Sequence, residues 1–448
     1  MTFSKILIRN AKVVNDNQIF DFDLLIHGNR IEKIATKITS SSDMEVFDAE
    51  GKYIIPGLID DQVHFREPGL TYKACIETES KAALAGGITS FLEMPNTQPQ
   101  TTTKIEWEEK NKRAAATSYA NYAFMFGGTN DNLDEILALD TKRVPALKLF
   151  LGSSTGNMLV DNPEVLKSIF SRTKLVIAVH CEDEWTIQKN LEAAQQKYGN
   201  EIPISEHHII RSEEACYLSS SKAVALAKET GARLHVFHVS TERELGLFRN
   251  DIPLEEKKIT AEVCTHHLWF SSDDYLEKGT RIKWNPAVKT KADRTALWDA
   301  LNNDLLDILA TDHAPHTELE KNQPYLKAPS GGPLVQHALP ALLTAFHKGK
   351  ITLEKIVQKA CHNPAILFDV KDRGFLREGY FADLVVLDID KTFEVVKDDL
   401  LYQCGWSPFE GTQFKGAVER TLLNGQWVYK DGIVHSDSAA MELTFDRT

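Results

Sequence analysis

Residues 212–239 read SEEACYLSSSKAVALAKETGARLHVFHV. The first part carries a helical pattern that stops at a glycine, Gly231. An apolar, β-prone run, RLHVFHV (233–239), follows at once and holds a histidine near its end, His238. Helix then strand, repeated along a chain, predicts a parallel α/β sheet.

The same unit recurs in both directions. Apolar runs occur at GLIDDQVHF (57–65), ITSFLEM (88–94), ANYAFMF (120–126) and PALKLFL (145–151). Further runs are LVIAVHC (175–181), RLHVFHV (233–239), KITAEVC (258–264) and LDILATD (306–312). Most are followed by a helical pattern. Eight strands alternating with helices predict a (β/α)8 TIM barrel, placed at residues 57–365. The flanks have another texture. KILIRNAKVV, FDFDLLIHGNRIEKI and MEVFDAEGKYIIPG alternate with period two, as do ADLVVLDID and AVERTLLNGQWVYKDG. Asn424-Gly425 between apolar runs is a hairpin signal. Segments 1–56 and 366–448 are therefore expected to join as a small β-sandwich domain.

Composition limits the function classes. Of 448 residues, 42% are hydrophobic and 26% charged, as in an ordinary globular protein. The net charge of −13 argues against nucleic acid or an anionic membrane as the main partner. No window holds the ~18 uncharged apolar residues of a membrane helix. The start, MTFSKILIRNAKVV, lacks the basic-then-apolar run of a signal peptide. Six cysteines without a C-x-x-C pair suggest reduced thiols in a cytoplasmic protein.

Barrel active sites lie at the C-terminal ends of the strands. Those ends carry His64 and Arg66, Asn96, Lys148, His180, His238, and Asp312 with His313 and His316. Three histidines and an aspartate at equivalent ends favour a metal site, and neutral imidazoles with a carboxylate suit Zn2+. A plainer reading attaches to each residue alone. His235, at an odd separation from His238, is expected on the opposite strand face as a core side chain. His207 and His208 lie in a polar stretch and are expected to be solvated. Of His266 and His267, at most one is expected to point inward. Cys181 and Cys264 read as buried small residues. Lys148 either pairs with a carboxylate such as Asp312 or reacts with CO2 to give an anionic carbamate able to bridge two metals.

Asp60-Asp61-Gln62-Val63-His64-Phe65-Arg66-Glu67-Pro68-Gly69 resembles the D-x-H-x-H-x-R-x-P-G signature of dihydroorotases, in the amidohydrolase superfamily. MPN (94–96), KLFLGSSTG (148–156), VHCEDE (179–184), HVST (238–241), ATDHAPH (310–316) and SPFEG (407–411) resemble dihydroorotase segments in the same order. Asn363-Pro364-Ala365 and Gly379 to Leu384 are similar to the exit from the barrel in this superfamily.

The resemblance implies one or two zinc ions per chain. His64 and Asp312 would bind the first, and His180 and His238 the second. N6-carboxylated Lys148 would bridge them. Arg66, Asn96 and His316 would hold a substrate carboxylate. Asn285 would lie near the substrate ring, and Ser154 and Thr155 would donate from a closing loop. The implied reaction is the reversible cyclisation of N-carbamoyl-L-aspartate to dihydroorotate in pyrimidine biosynthesis. Hydroxide on the metal would be the nucleophile, and Asp312 the general base and then acid. Allantoinases and dihydropyrimidinases act on uncharged rings, so Arg66 favours an acidic substrate.

The sequence departs from the signature at Gln62, where the family has the first histidine of H-x-H. An amide oxygen is a weaker zinc ligand than imidazole. Gln62 could ligate through its carbonyl, or leave a single zinc on His180 and His238. A non-catalytic subunit assembling with aspartate transcarbamoylase, and an allantoinase- or hydantoinase-like enzyme, are the alternatives. The retained set favours an active enzyme. A homodimer is the expected assembly.

Overall fold

A computed structural model describes residues 5–152, 158–435 and 439–447. Eight strands form the barrel: β1 Leu58–Val63, β2 Ile88–Glu93, β3 Asn121–Phe124, β4 Ala146–Phe150, β5 Val176–His180, β6 Leu234–Val236, β7 Ile259–Cys264 and β8 Ile308–Ala310. Each falls inside one of the eight apolar runs. Neighbours pair in parallel from β1 to β3 and from β4 to β8. A short strand, Phe126–Gly127, joins β3 to β4. The bridge between Val63 and His313 closes β8 onto β1.

Period two sorts the strand side chains. Leu147, Leu149, Ile177 and Val179 face outward into a core shared with the helices. Ala146, Val176 and Ala178 face the barrel interior with Ile59, Phe237 and Ile308. The helix Glu213–Thr230 starts where the Ser212 side chain accepts from Ala215 N, and it ends at Gly231 with φ +75°. That left-handed φ is the conformation glycine adopts without cost.

The terminal segments meet in one nine-stranded sheet. Leu384–Glu394 pairs antiparallel with Tyr53–Pro56, which in turn pairs with Lys5–Asn15. This sheet closes over its own apolar cluster, including Ile8, Ile54, Val386 and Leu422. Asn424 and Gly425 have φ +47° and +79°, as a type I′ hairpin turn requires. The last segment returns to the barrel. Tyr122 N donates to Met441 O (3.1 Å), and Leu443 and Phe445 join the interior cluster. Among the described residues no helix is long and apolar enough to cross a membrane.

Candidate functional site

The strand ends converge on one cavity of about 190 Å3. Gln62, His64, Arg66, Asn96, Lys148, His180, His238, Asn285, Asp312 and His316 all line it, with Phe150, Trp284 and the 329–331 loop. Ser154 and Thr155 lie outside the described residues. Arg66, His238 and Asp312 have φ +68°, +41° and +51°. Each sits just past a strand end, where a left-handed residue turns its side chain inward. Such backbone costs about 1–3 kcal/mol per residue and is concentrated at functional sites.

Two donor groups face each other across the cavity. His64 Nδ1 lies 2.8 Å from Asn96 Oδ1, and its Nε2 lies 3.3 Å from Asp312 Oδ1. With Nδ1–H donating to Asn96, Nε2 turns a lone pair toward the carboxylate, an arrangement that calls for a cation between them. Burial pushes the His64 imidazole below its ordinary range, against the pull of Asp312. His180 Nε2–H donates to Glu182 Oε2 (3.0 Å), which leaves Nδ1 bare, 3.0 Å from His238 Nε2. Two nitrogens at about 2.0–2.1 Å on tetrahedral zinc lie about 3.3–3.4 Å apart, so the pair is close to ligand spacing. Burial pushes His238 well down, and its Nδ1 has no hydrogen-bond partner among the described residues. Converging imidazole nitrogens beside a carboxylate fit a divalent metal.

Glu182 is fully buried, which by itself raises a carboxyl. Arg211, which pairs with it, and the hydrogen bond from His180 outweigh burial and hold it at about 2. The His180 orientation is thereby locked by a permanent carboxylate. Sequence reasoning passed over Glu182 and Arg211. The signal available for Glu182 was its place two residues after His180.

Lys148 is buried, with Nζ 4.1 Å from the centre of the Phe237 ring and 4.9 Å from that of Phe150. It forms no ion pair among the described residues, so the expected alternative of pairing with Asp312 is not realised. Burial drives its ammonium down to about 7, against Glu262 and Asp312. Gln62 Oε1 lies 3.7 Å from Cys264 Sγ, a long contact with the thiol as donor. Cys181 and Cys264 are buried, and burial raises both thiols, Cys181 to about 12.

Arg66 is 8% exposed and forms no ion pair among the described residues. Nε donates to Pro315 O (2.9 Å), and Nη2 lies 3.0 Å from His316 Nε2. Burial lowers the guanidinium to about 10, and it stays charged at neutral pH. Glu67 instead lies 3.8 Å from Arg113 and accepts from Ile76 N, so Arg66 is no surface partner of Glu67. His316 Nε2–H donates to Ser330 O (3.0 Å), and Nδ1 accepts from Lys73 Nζ (2.9 Å). Burial and the charges of Arg66 and Lys73 keep this imidazole neutral. Asn285 Oδ1 is buried with no partner among the described residues.

Two histidine expectations are overturned. His207 is not solvated. It is fully buried, with Nδ1 2.9 Å from Tyr325 Oη and Nε2 2.7 Å from Trp284 O. His208 is half-buried and stacks on Tyr275. The exposed position of this short helical turn is the apolar Ile209, while polar Arg211 is buried beside Glu182. His235 and His238 do not face opposite ways either. The strand stops at Val236, and the positive φ of His238 re-aims it. His235 itself, between the outward-facing Leu234 and Val236, points into the barrel by simple alternation, between Asp61 and Glu262. Burial alone would lower it, but those two carboxylates raise it to about 9. His266 and His267 are both buried, with ring centres 4.0 Å apart.

A dihydroorotase of Halobacterium salinarum is 34% identical over 410 residues, covering 90% of this chain and 92% of that relative. An allantoinase of Desulfitobacterium hafniense is 30% identical over 457 residues, covering 99% of each. The solved L-hydantoinase (dihydropyrimidinase) from Arthrobacter aurescens superposes with a TM-score of 0.93 at 28% identity, covering 98% of this chain and 99% of that one. The sequence profile of the amidohydrolase family matches residues 53–428. The chain therefore belongs to the amidohydrolase family.

Proposed function

We propose that this amidohydrolase is a zinc-dependent dihydroorotase, catalysing the reversible cyclisation of N-carbamoyl-L-aspartate to dihydroorotate with loss of water. The observation that carries the reading is Arg66. A buried guanidinium that faces a small cavity and forms no ion pair among the described residues has a natural complement, a ligand carboxylate. The 34% identical dihydroorotase supports the same substrate class.

His64 and Asp312 would hold one zinc, and His180 and His238 the other, with carboxylated Lys148 between them. Zinc, when bound, supplies Lewis acidity and lowers the pKa of water to about 7. The chain's own groups do the rest. The Arg66 fork binds the substrate carboxylate and fixes its register. Asn96 and neutral His316 add hydrogen bonds without a second charge. Glu182 keeps Nδ1 of His180 bare. Lys148 near pH 7 has the free amine that adds CO2 with loss of a proton. Asp312, opposite His64, takes a proton from the attacking oxygen and returns it to the ring nitrogen. Asn285 supplies an acceptor for a ring N–H.

The test follows dihydroorotate loss by ultraviolet absorbance in protein prepared with zinc and bicarbonate, with allantoin and hydantoin in parallel. Turnover of dihydroorotate that chelator abolishes supports the proposal. Turnover of the uncharged rings alone overturns it. Light scattering of the same sample, with and without aspartate transcarbamoylase, reads whether the chain is a homodimer and whether it associates.

A further inference from the structure

Below the cavity, three strands place Asp61, His235 and Glu262 at one point inside the barrel. All three are fully buried. Asp61 precedes Gln62, Glu262 lies two residues before Cys264, and His235 lies three before His238, so the group sits one layer deeper than the mouth. The mechanism above uses none of them.

The hydrogen bonds decide which atoms face inward. Thr260 Oγ1 donates to Leu234 O (3.2 Å). It therefore accepts from His235 Nδ1–H at 2.8 Å. That bond is the outer contact a metal-bound imidazole characteristically makes. It leaves His235 Nε2 to face the carboxylates. Nε2 lies 3.4 Å from Asp61 Oδ2 and 3.4 Å from Glu262 Oε2. Good N–H···O bonds span about 2.7–3.2 Å, and one proton cannot point at both oxygens. By contrast, N and O ligands at about 2.0–2.2 Å on a tetrahedral metal lie about 3.3–3.6 Å apart. Glu262 is held in place through its other oxygen, which accepts from His238 N (3.1 Å). Neither oxygen of Asp61 has a hydrogen-bond partner among the described residues. Two buried carboxyl groups and one imidazole nitrogen thus converge at ligand spacing, and a divalent cation among them would meet all three and balance the carboxylates.

We propose that Asp61, His235 and Glu262 form a buried divalent-cation site of the zinc class, separate from the mouth of the barrel. The rings of Phe237 and Phe368 pack against His235, at 5.3 and 5.8 Å between centres. Buried behind these rings, the ion is taken up as the barrel closes and exchanges slowly. It serves the fold by fixing β1, β6 and β7 to one another. The proposal is independent of the substrate.

The test uses the full-length protein made in zinc-supplemented cells and dialysed against dipicolinate. Elemental analysis should find about one zinc per chain that survives dialysis. A zinc-edge anomalous map of those crystals should show its peak among Asp61, His235 and Glu262. Asp61→Asn, checked for folding by circular dichroism and gel filtration, should lose that equivalent. Folded wild-type protein with no retained zinc, or retained zinc only between His180 and His238, overturns the proposal and assigns a proton to the cluster. If Asp61→Asn does not fold, the wild-type map decides alone. None of these readouts depends on turnover.

Discussion

Arg66→Met is the sharpest perturbation of the proposed chemistry. The wild-type guanidinium is buried, charged and without a carboxylate partner among the described residues, so a bound substrate carboxylate becomes its counter-ion in a water-poor cavity. Removing one partner of a buried, hydrogen-bonded charge pair costs about 2–5 kcal/mol. At about 1.36 kcal/mol per decade, kcat/KM for dihydroorotate should fall about 30- to 5,000-fold. The fold should tolerate the change. The variant gives up one bond to Pro315 O, worth about 1 kcal/mol, and is relieved of a desolvated cation. Arg66→Lys keeps the charge without the two-pronged fork and should fall between wild type and Met. The assay is steady-state loss of dihydroorotate absorbance, with a thermal melt of each variant. An uncharged hydantoin is the control substrate. A loss smaller than tenfold, or an equal loss on hydantoin, would refute the assignment of Arg66 to a substrate carboxylate.

Other parts of the site make separate predictions. Lys148 has a folded pKa of about 7 against an unfolded value near 10.5, so folding costs stability wherever the unfolded amine is charged, either by burying the charge or by giving up its proton. That cost is full below about pH 7, at about 4–5 kcal/mol, and disappears as pH rises toward 10.5. Metal-free Lys148→Met should therefore melt higher than metal-free wild type, by a margin that shrinks from pH 7 to pH 10 in calorimetry. The same variant should lose turnover and any response to bicarbonate. Glu182→Gln removes the charge that orients His180, and zinc affinity by competition with a chromophoric chelator should weaken about 10- to 100-fold. Gln62→His adds an imidazole beside His64, and zinc bound per chain in chelator titrations should tighten. Unchanged metal content and rate would show that Gln62 does not shape the site.

Much of this architecture was legible in the sequence because it is local. An apolar run of strand length followed by a helical period is visible within about thirty residues, and all eight barrel strands lie within such runs. Strand-end position then selected His64, Lys148, His180, His238 and Asp312, since parallel barrels put those ends on one face. The Asn424-Gly425 turn was equally local.

What the sequence left open depends on partners far apart in the chain and on single backbone angles. His238 joined His235 on the inward side because β6 ends at Val236 and His238 adopts a positive φ, and no periodicity encodes where a strand stops. His207 is buried by Tyr325 and Trp284, more than seventy residues away, though its neighbours in sequence are polar. Glu182 acquired its charge and its role from Arg211. Asp61 meets His235 and Glu262 only when three strands close into one barrel. Residue types and their order thus determined the barrel and the groups at its mouth. Tertiary packing alone decided which of those groups are desolvated, charged and left facing one another without a partner, because desolvation and pairing are properties of the assembled interior.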